Sequence, residues 1–321
     1  MAYNENKKSK TLLYYLREGL MNPRKVLGIG WSYLSNTGLI PNDKLYLNVA
    51  FFLSQGKKLQ LSNPQTFQEK MQWLKLYDRR PEYTIWADKV KAKEYVASVI
   101  GEEHIIPTLG VWDNPDDIDF DQLPEKFVLK CNHNSGLGMY ICKSRSTFDE
   151  KKVRENLKKG LRENYYLHNR EWPYKDIPRK ILAEKYMEDS GAPKGLADYK
   201  FFCFNGEPKF CQVIRDRTTS ETIDFYDMEW NHQVFYGLNP VARNGNTPVA
   251  RPVHLEKMIE ICKQLSSDSP FVRVDLYVIS NTEYFGEITF FPAGGLGTFD
   301  PKDWNLILGN MITLPGIKRG G

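Results

Sequence analysis

The chain has 321 residues, 41% of them hydrophobic and 26% charged, and 44 Lys and Arg against 40 Asp and Glu leave a formal net charge of +4. That is room for one large or two moderate domains with a sizeable core. So small a charge, with no basic helix interleaved with stacking aromatics, excludes a nucleic-acid-binding reading, and the lack of a long apolar run excludes a membrane-spanning helix. Cys131, Cys142, Cys203, Cys211 and Cys262 carry no CxxC spacing and read as buried thiols of a reducing compartment. No signal-peptide pattern opens the chain, so the expected location is the cytoplasm, reaching at most the inner face of the cell membrane.

Residues 1–84 read as a mostly helical region. Its start is basic, with Lys7, Lys8, Lys10, Arg17, Arg24 and Lys25 against Glu5 and Glu18 around a helix-like Leu12, Leu13, Leu16 and Leu20. That pattern suits peripheral contact with an anionic membrane as well as a solvated arm. Pro64-Gln-Thr66 opens an amphipathic helix through Phe67, Met71, Trp73 and Leu74, and a second helix runs from about Asp88 to Val99 with Gly101 as its cap. Ile105-Ile-Pro-Thr, an acidic Pro-rich loop and the strand Phe127–Lys130 follow. A lysine-rich helix is expected at about 148–164 and a strand at Ile181–Met187. Asp198–Phe204 and Pro208–Arg215 form a hairpin across Asn205-Gly206, and a helix spans about 254–266. Strands and helices without strict alternation give an α+β class.

The stretch from Arg273 to Phe290 carries the most chemistry. It reads as two strands folded around Ser280-Asn281-Thr282, and with Asn281 as pivot Asp275 lies across from Glu287 and Arg273 from Thr289. Period-two alternation puts those four on one face and Val272, Val274, Leu276, Val278, Ile288 and Phe290 on the other. Two carboxylates facing each other repel, so something must bridge them, most simply a hard divalent cation.

After Lys130 comes Cys-Asn-His-Asn-Ser135-Gly136-Leu-Gly138, a glycine-bearing loop between strands. Its glycines let backbone N–H groups approach a polyphosphate, and Lys130 adds a point charge. It is neither a Walker A motif nor a dinucleotide fingerprint, since no helix follows the glycines. In the Asn205-Gly206 hairpin an unbulged register would place Asp198, Lys200 and Phe202 on one face with Cys211, Val213 and Arg215, so that Lys200 and Arg215 share a cleft. Arg217 follows with the same parity.

The order of these parts resembles the ATP-grasp superfamily. More narrowly, about residues 43–315 resemble its TupA-like branch, named for teichuronopeptide synthesis. The closer likeness is carried by Asn63-Pro-Gln-Thr-Phe-Gln-Glu-Lys70, Lys130-Cys-Asn-His133, Asp198-Tyr-Lys200-Phe-Phe and Gly286-Glu-Ile-Thr-Phe-Phe-Pro292. The resemblance implies an ATP-grasp fold of two α+β subdomains clamping ATP. The N-terminal helical region would span 1–84, the portion with the phosphate loop 85–186, the subdomain with the metal site 187–315, and a tail 316–321. It implies ATP contacts from Lys89 and Lys130, and a cover over the phosphates from Asn132, His133, Ser135, Gly136 and Gly138. Adenine would be read by the backbone of Lys185 and Tyr186 beside Glu184, with Asp198 also on the nucleotide. Asp275 and Glu287 would hold Mg²⁺, with Thr289 where the superfamily usually has Asn.

The implied activity is a carboxylate–amine ligase working through an acyl phosphate. Lys200, Arg215, Arg217 and Arg273 would serve the transferring phosphoryl group and the tetrahedral intermediate. Its substrates would be a small or glycan-linked carboxylate, such as a uronic acid or peptide, and an amine, in bacterial surface-polysaccharide synthesis. A kinase acting on a sugar or polyol hydroxyl is the alternative. A glycosyltransferase, suggested by the DxD-like Asp117-Ile-Asp119, is the weaker one, because that triplet lies in an acidic turn with no apolar strand running into it.

Overall fold

The computed structural model describes residues 23–189, 196–215, 221–238, 244–245 and 247–316. Helices α1 (Pro23–Asn36), α2 (Asp43–Gln55), α3 (Phe67–Tyr77), α4 (Pro81–Ala87) and α5 (Lys91–Ile100) come first. The expected second helix is α5, which begins at Lys91 and is capped at Gly101, with the short α4 ahead of it. Helix α3 begins where Thr66 caps the Glu69 N–H while the Glu69 carboxylate accepts from the Thr66 N–H, a reciprocal capping box.

Strands β1 (Thr108–Trp112), β2 (Phe127–Cys131) and β3 (Tyr140–Cys142), helices α6 (Glu150–Arg162) and α7 (Tyr166–Asn169), and strand β4 (Ile181–Lys185) form the next portion. Its sheet has the antiparallel order β1-β4-β2-β3. Alternation buries Phe127, Leu129 and Cys131 of β2. Phe127 and Leu129 pack on Val153 and Leu157 of α6, leaving Lys130 on the opposite face.

Strands β5 (Asp198–Phe204), β6 (Glu207–Arg215), β7 (Thr222–Tyr226) and β8 (Tyr236–Gly237) precede α8 (Leu255–Ser266), β9 (Phe271–Ile279), β10 (Thr282–Thr289), β11 (Phe299–Asp300) and α9 (Trp304–Asn310). The main sheet has the order β10-β9-β5-β6-β7, with β8 and β11 forming a small ribbon. One apolar core joins this sheet to α8 and to Phe67, Met71, Trp73 and Leu74 of α3. A parallel bridge from Ile105 to Phe285 ties the two main sheets together. Among the described residues no helix is long and apolar enough to cross a membrane, and all five cysteines are buried and unbridged.

Two bulges set the registers. The β9–β10 turn has two residues, Ser280 and Asn281, both with positive φ, and Ile279 faces Thr282. That alone would slip the expected pairing by one residue. A shift at Gly286 restores it, so Glu287 faces Asp275 and Thr289 faces Arg273. A side chain at 286 would press on the Asp275 carbonyl and the Tyr277 ring, each 3.0 Å from the added carbon. In the β5–β6 hairpin a shift between Phe202 and Cys203 has the opposite effect. Lys200 faces Gln212, and the unbulged register fails.

Candidate active site

Across four strands runs one transverse row: Gln212 on β6 faces Lys200 on β5, Lys200 faces Asp275 on β9, and Asp275 faces Glu287 on β10. The Lys200 ammonium pairs with the Asp275 carboxylate. Arg273 Nε donates to Asp275 Oδ1 at 2.6 Å, and its Nη2 donates to Asp275 Oδ2 at 2.8 Å, Thr289 Oγ1 at 3.0 Å and Glu287 Oε1 at 3.2 Å. The bridge between the opposed carboxylates is therefore a guanidinium. Burial raises the pKa of Glu287, but Lys200, Arg273 and Lys89 outweigh it and hold the carboxyl at about 2.

The donors Asp275, Glu287 and Thr289 are hard oxygens, which suit Mg²⁺. Among the described residues no group of three or more His, Cys, Asp and Glu gathers for a metal. An ion here would take two carboxylates and complete its shell with phosphate oxygens and water, the usual habit of Mg²⁺.

Facing this row across a cleft of about 530 Å³ stand Lys89, Ile106, Lys130 and the loop residues Asn134–Leu137 and Met139. Lys130 and Glu184 share one face of the β2–β4 pair, where Val128 faces Glu184. Glu184 Oε2 pairs with Lys130, and Oε1 pairs at 2.6 Å with Lys93 of α5. Burial opposes its ionisation, yet these two lysines keep its pKa below the usual range. Lys89 Nζ donates to the Asn134 carbonyl at 2.5 Å, and burial lowers its pKa. Gly136 (φ 94°) has open space where a side chain would stand, whereas at Gly138 (φ 76°) an added carbon would sit 2.6 Å from Cys131 Sγ. Gly136 keeps the loop open toward the cleft, and Gly138 allows it to close on α6.

The cleft thus gathers Lys89, Lys130, Ser135, Gly136, Lys200, Arg273, Asp275 and Glu287, and Thr289 touches it through Arg273. Other expected residues stand elsewhere. Because of the β5–β6 bulge Arg215 lies on the opposite face from Lys200, where its Nη2 donates to Asp224 Oδ2 at 3.1 Å and to the Thr247 carbonyl at 2.8 Å. Arg217 lies outside the described residues. Asn132 is fully buried as a stitch, donating to Asp88 and Pro178 and accepting from the Lys180 N–H. His133 turns inward and donates from Nε2 to the Glu163 carbonyl at 3.1 Å, and burial pushes its pKa down to about 4. It orders the loop and does not reach the cleft.

Glu184 is held by its two lysines, and the Lys185 N–H donates to the Pro107 carbonyl at 3.0 Å. The Tyr186 ring lies under the Lys143 ammonium at 5.8 Å. Asp198 is buried and bonded to Tyr277, which lines the cleft. Asp119 caps a short turn by accepting from the Asp121 N–H, and neither it nor Asp117 lines the cleft. Sequence reasoning missed Lys93, Gln212, Ile214, Ile223 and Tyr277. Pairing Gln212 with Lys200 would have found the second, had the bulge been foreseen.

Beneath the polar row lies a buried layer that was not expected. Lys75 of α3, wholly enclosed, donates to Gln72 Oε1, the Asn169 carbonyl and the Gly294 carbonyl at 3.1, 2.8 and 2.6 Å. Burial lowers its pKa to about 8, against the pull of Glu171. Burial raises Glu171 to about 7, with Lys75 and Arg273 opposing it. Gln72 and Gln68 donate to the Gly295 and Gly297 carbonyls at 2.7 and 2.8 Å, and Gln55 of α2 donates to that of Leu296 at 2.7 Å. The segment that follows β10, with Ala293 on the cleft wall and left-handed at φ 50°, is thus fastened from below by four side chains.

No curated protein matches the sequence. Among solved structures, D-alanine–D-alanine ligase from Helicobacter pylori aligns with 19% identity over 78% of this chain and 70% of that one, at a TM-score of 0.45. The ATP complex of D-alanine–D-alanine ligase from Bacillus anthracis aligns with 17% identity over 65% of this chain, at a TM-score of 0.38. Biotin carboxylase from Campylobacter jejuni aligns with 13% identity over 73% of this chain, at 0.41. The chain spans 55% and 48% of the last two. The family model described as TupA-like ATPgrasp matches residues 69–313, and on that match the chain belongs to the TupA-like ATP-grasp family, ATP-dependent enzymes of the ATP-grasp fold.

Proposed function

We propose that the protein is an ATP- and Mg²⁺-dependent carboxylate–amine ligase. Its product would be an amide between an amino acid or other amine and a uronic-acid sugar or peptide, in bacterial surface-polysaccharide synthesis. The single observation that carries this reading is the row Lys200–Asp275–Glu287 with Arg273 laid across it, facing Lys89, Lys130 and the glycine loop. In such chemistry a carboxylate oxygen attacks the γ-phosphorus and ADP departs. The amine nitrogen then attacks the acyl carbon and inorganic phosphate leaves.

These steps need placed charge and exclusion of water more than a nucleophile from the protein. In this reading Lys89 and Lys130 would neutralise nucleotide phosphates, Lys200 and Arg273 would balance the transferring group, and residues 134–139 would cover it. Arg273 adds a planar fork that matches a carboxylate and then an oxyanion, which a lysine cannot do. Mg²⁺ held by Asp275 and Glu287 would supply charge neutralisation at the β- and γ-phosphates.

The test is a phosphate-release screen with ATP and Mg²⁺, crossing uronic acids and their glycosides with the common amino acids. Phosphate appearing only when acid and amine are both present, with an amide product by mass spectrometry, is the expected result. A phosphorylated hydroxyl product formed without amine would replace the ligase reading with a kinase.

A further inference from the structure

Helix α1 is apolar on nearly every side. Its inner face is fixed by Trp31, stacked on Tyr46 of α2 with ring centroids 6.1 Å apart, and by Ser35, buried and donating to the Leu167 carbonyl at 2.7 Å. Its outer face presents Val26, Ile29 and Tyr33, at the i, i+3, i+7 spacing of one helix side, at 52%, 59% and 77% exposure; Leu27 lies on the flank, and Leu39 just beyond the helix is 73% exposed. A helix on the surface of a globular protein normally turns charged and polar residues outward. Here Arg24 and Lys25 are its only charged residues, both at its start.

The distribution of charge gives the second observation. Residues 1–25 hold six basic residues against two acidic ones, so the whole net charge of +4 falls there and the remaining residues balance to zero. The excess therefore adjoins the start of the helix whose apolar face is outward. A contact between two copies of the chain, or with an apolar protein surface, would give no reason for cations to be concentrated in the sequence that leads into this helix. An interface that is apolar at depth and anionic at its surface calls for both together, and neither signal alone holds a protein there stably.

We infer that the outward face of α1, which the basic stretch precedes in the sequence, docks on a bilayer rich in anionic phospholipid, with Val26, Ile29 and Tyr33 entering the headgroup boundary. This goes beyond the ligase reading and does not depend on it. An enzyme held in this way would meet a lipid-linked acceptor at the membrane surface, whatever bond it makes.

The experiment is co-sedimentation of the full chain with vesicles of phosphatidylcholine alone and with phosphatidylglycerol added, at low and high salt. Binding to the anionic vesicles, weakened by salt, is expected. Replacing Lys7, Lys8 and Lys10 by Gln should lower the partition coefficient on the order of fivefold per charge. The double variant Ile29→Asp, Tyr33→Asp should lower it by at least about tenfold. Both side chains are exposed, so melting temperature and ATP affinity should stay unchanged and report that the fold is intact. Absence of binding, equal binding to both vesicle types, or binding untouched by the double variant would overturn the proposal. Self-association that the double variant abolishes, with no vesicle binding in the parent chain, would reassign the face to contact between copies.

Discussion

Replacing Arg273 by Lys keeps the charge of the site and removes its fork, which makes it the sharpest probe of the chemistry. In the structure the guanidinium makes four hydrogen bonds, two to Asp275 and one each to Glu287 and Thr289. An ammonium at the end of a shorter, flexible stem can keep one or two of these. The loss is then about two charge-assisted bonds of roughly 1.5–3 kcal/mol each, reduced because Lys200 still pairs with Asp275. A decrease of about 2–4 kcal/mol in unfolding free energy follows, which denaturant titration measures. An enzyme of ordinary stability stays folded at 25 °C after such a loss, so activity can be read separately.

Amide formation should fall by roughly 10²–10³ in kcat, the range seen when one preorganised donor to a developing oxyanion is removed. The ATP dissociation constant should move only a few-fold, since Lys89 and Lys130 remain. Thr289→Val is the control: it removes one bond to the same guanidinium and should cost about 0.5–1.5 kcal/mol in stability. Equal losses of ATP affinity and rate would place Arg273 on the nucleotide. An unchanged rate would make it a structural bridge only.

Lys130→Ala should raise the ATP dissociation constant about tenfold or more, from one lost charge-assisted contact, while Lys93 still compensates Glu184; an unchanged constant by calorimetry would make the glycine loop structural. Lys75→Met leaves the Asn169 and Gly294 carbonyls without their donor and takes from Glu171 the larger of its two counter-charges. A loss of about 3–5 kcal/mol is expected, and a thermal melt lowered by less than a few degrees would refute it. His133 sits at about 4 in the folded chain because burial disfavours its cation. Between that pH and about 6.5 the unfolded chain binds the extra proton, so stability should fall as pH drops through this window, by roughly 2–3 kcal/mol. His133→Gln should flatten that limb, and identical acid slopes for both chains would refute the assignment.

The Arg273–Thr289 pairing could be read in the sequence because polar and apolar residues alternate on both sides of Asp275 and Glu287, but the expected register holds only because the bulge at Gly286, which no local pattern marks, offsets the two-residue turn. The capping box at Thr66 and Glu69 has a similarly local signature. Arg215 was misplaced because a bulge depends on how β5 is also held by β9, which no local pattern records. Lys93 and Glu184 meet across 91 positions of sequence and belong to different elements, so neither announces the other. No local pattern singles out Lys75 or Glu171. Only the fold reveals that one lies on the inward side of an amphipathic helix and the other under the cleft.

The fastening of residues 294–297 by Gln55, Gln68, Gln72 and Lys75 has a consequence for how the chain can be divided. A fragment starting at residue 69, where the family match begins, would keep both sheets and every residue of the polar row. It would lose Phe67 from the apolar core, where it packs on Phe271 and Phe299, Thr66, whose hydroxyl caps α3, and with Gln55 and Gln68 two of the four donors that pin the segment. One cap is worth about 1 kcal/mol, and two freed carbonyls would let the cleft wall at Ala293 drift. Such a fragment should still bind nucleotide, since Lys89 and Lys130 lie outside the damage. Its rate should suffer instead, because the segment would no longer hold one shape between turnovers. On this reasoning the helices ahead of the two sheets should belong to the working geometry, and the shortest active form should begin before Gln55.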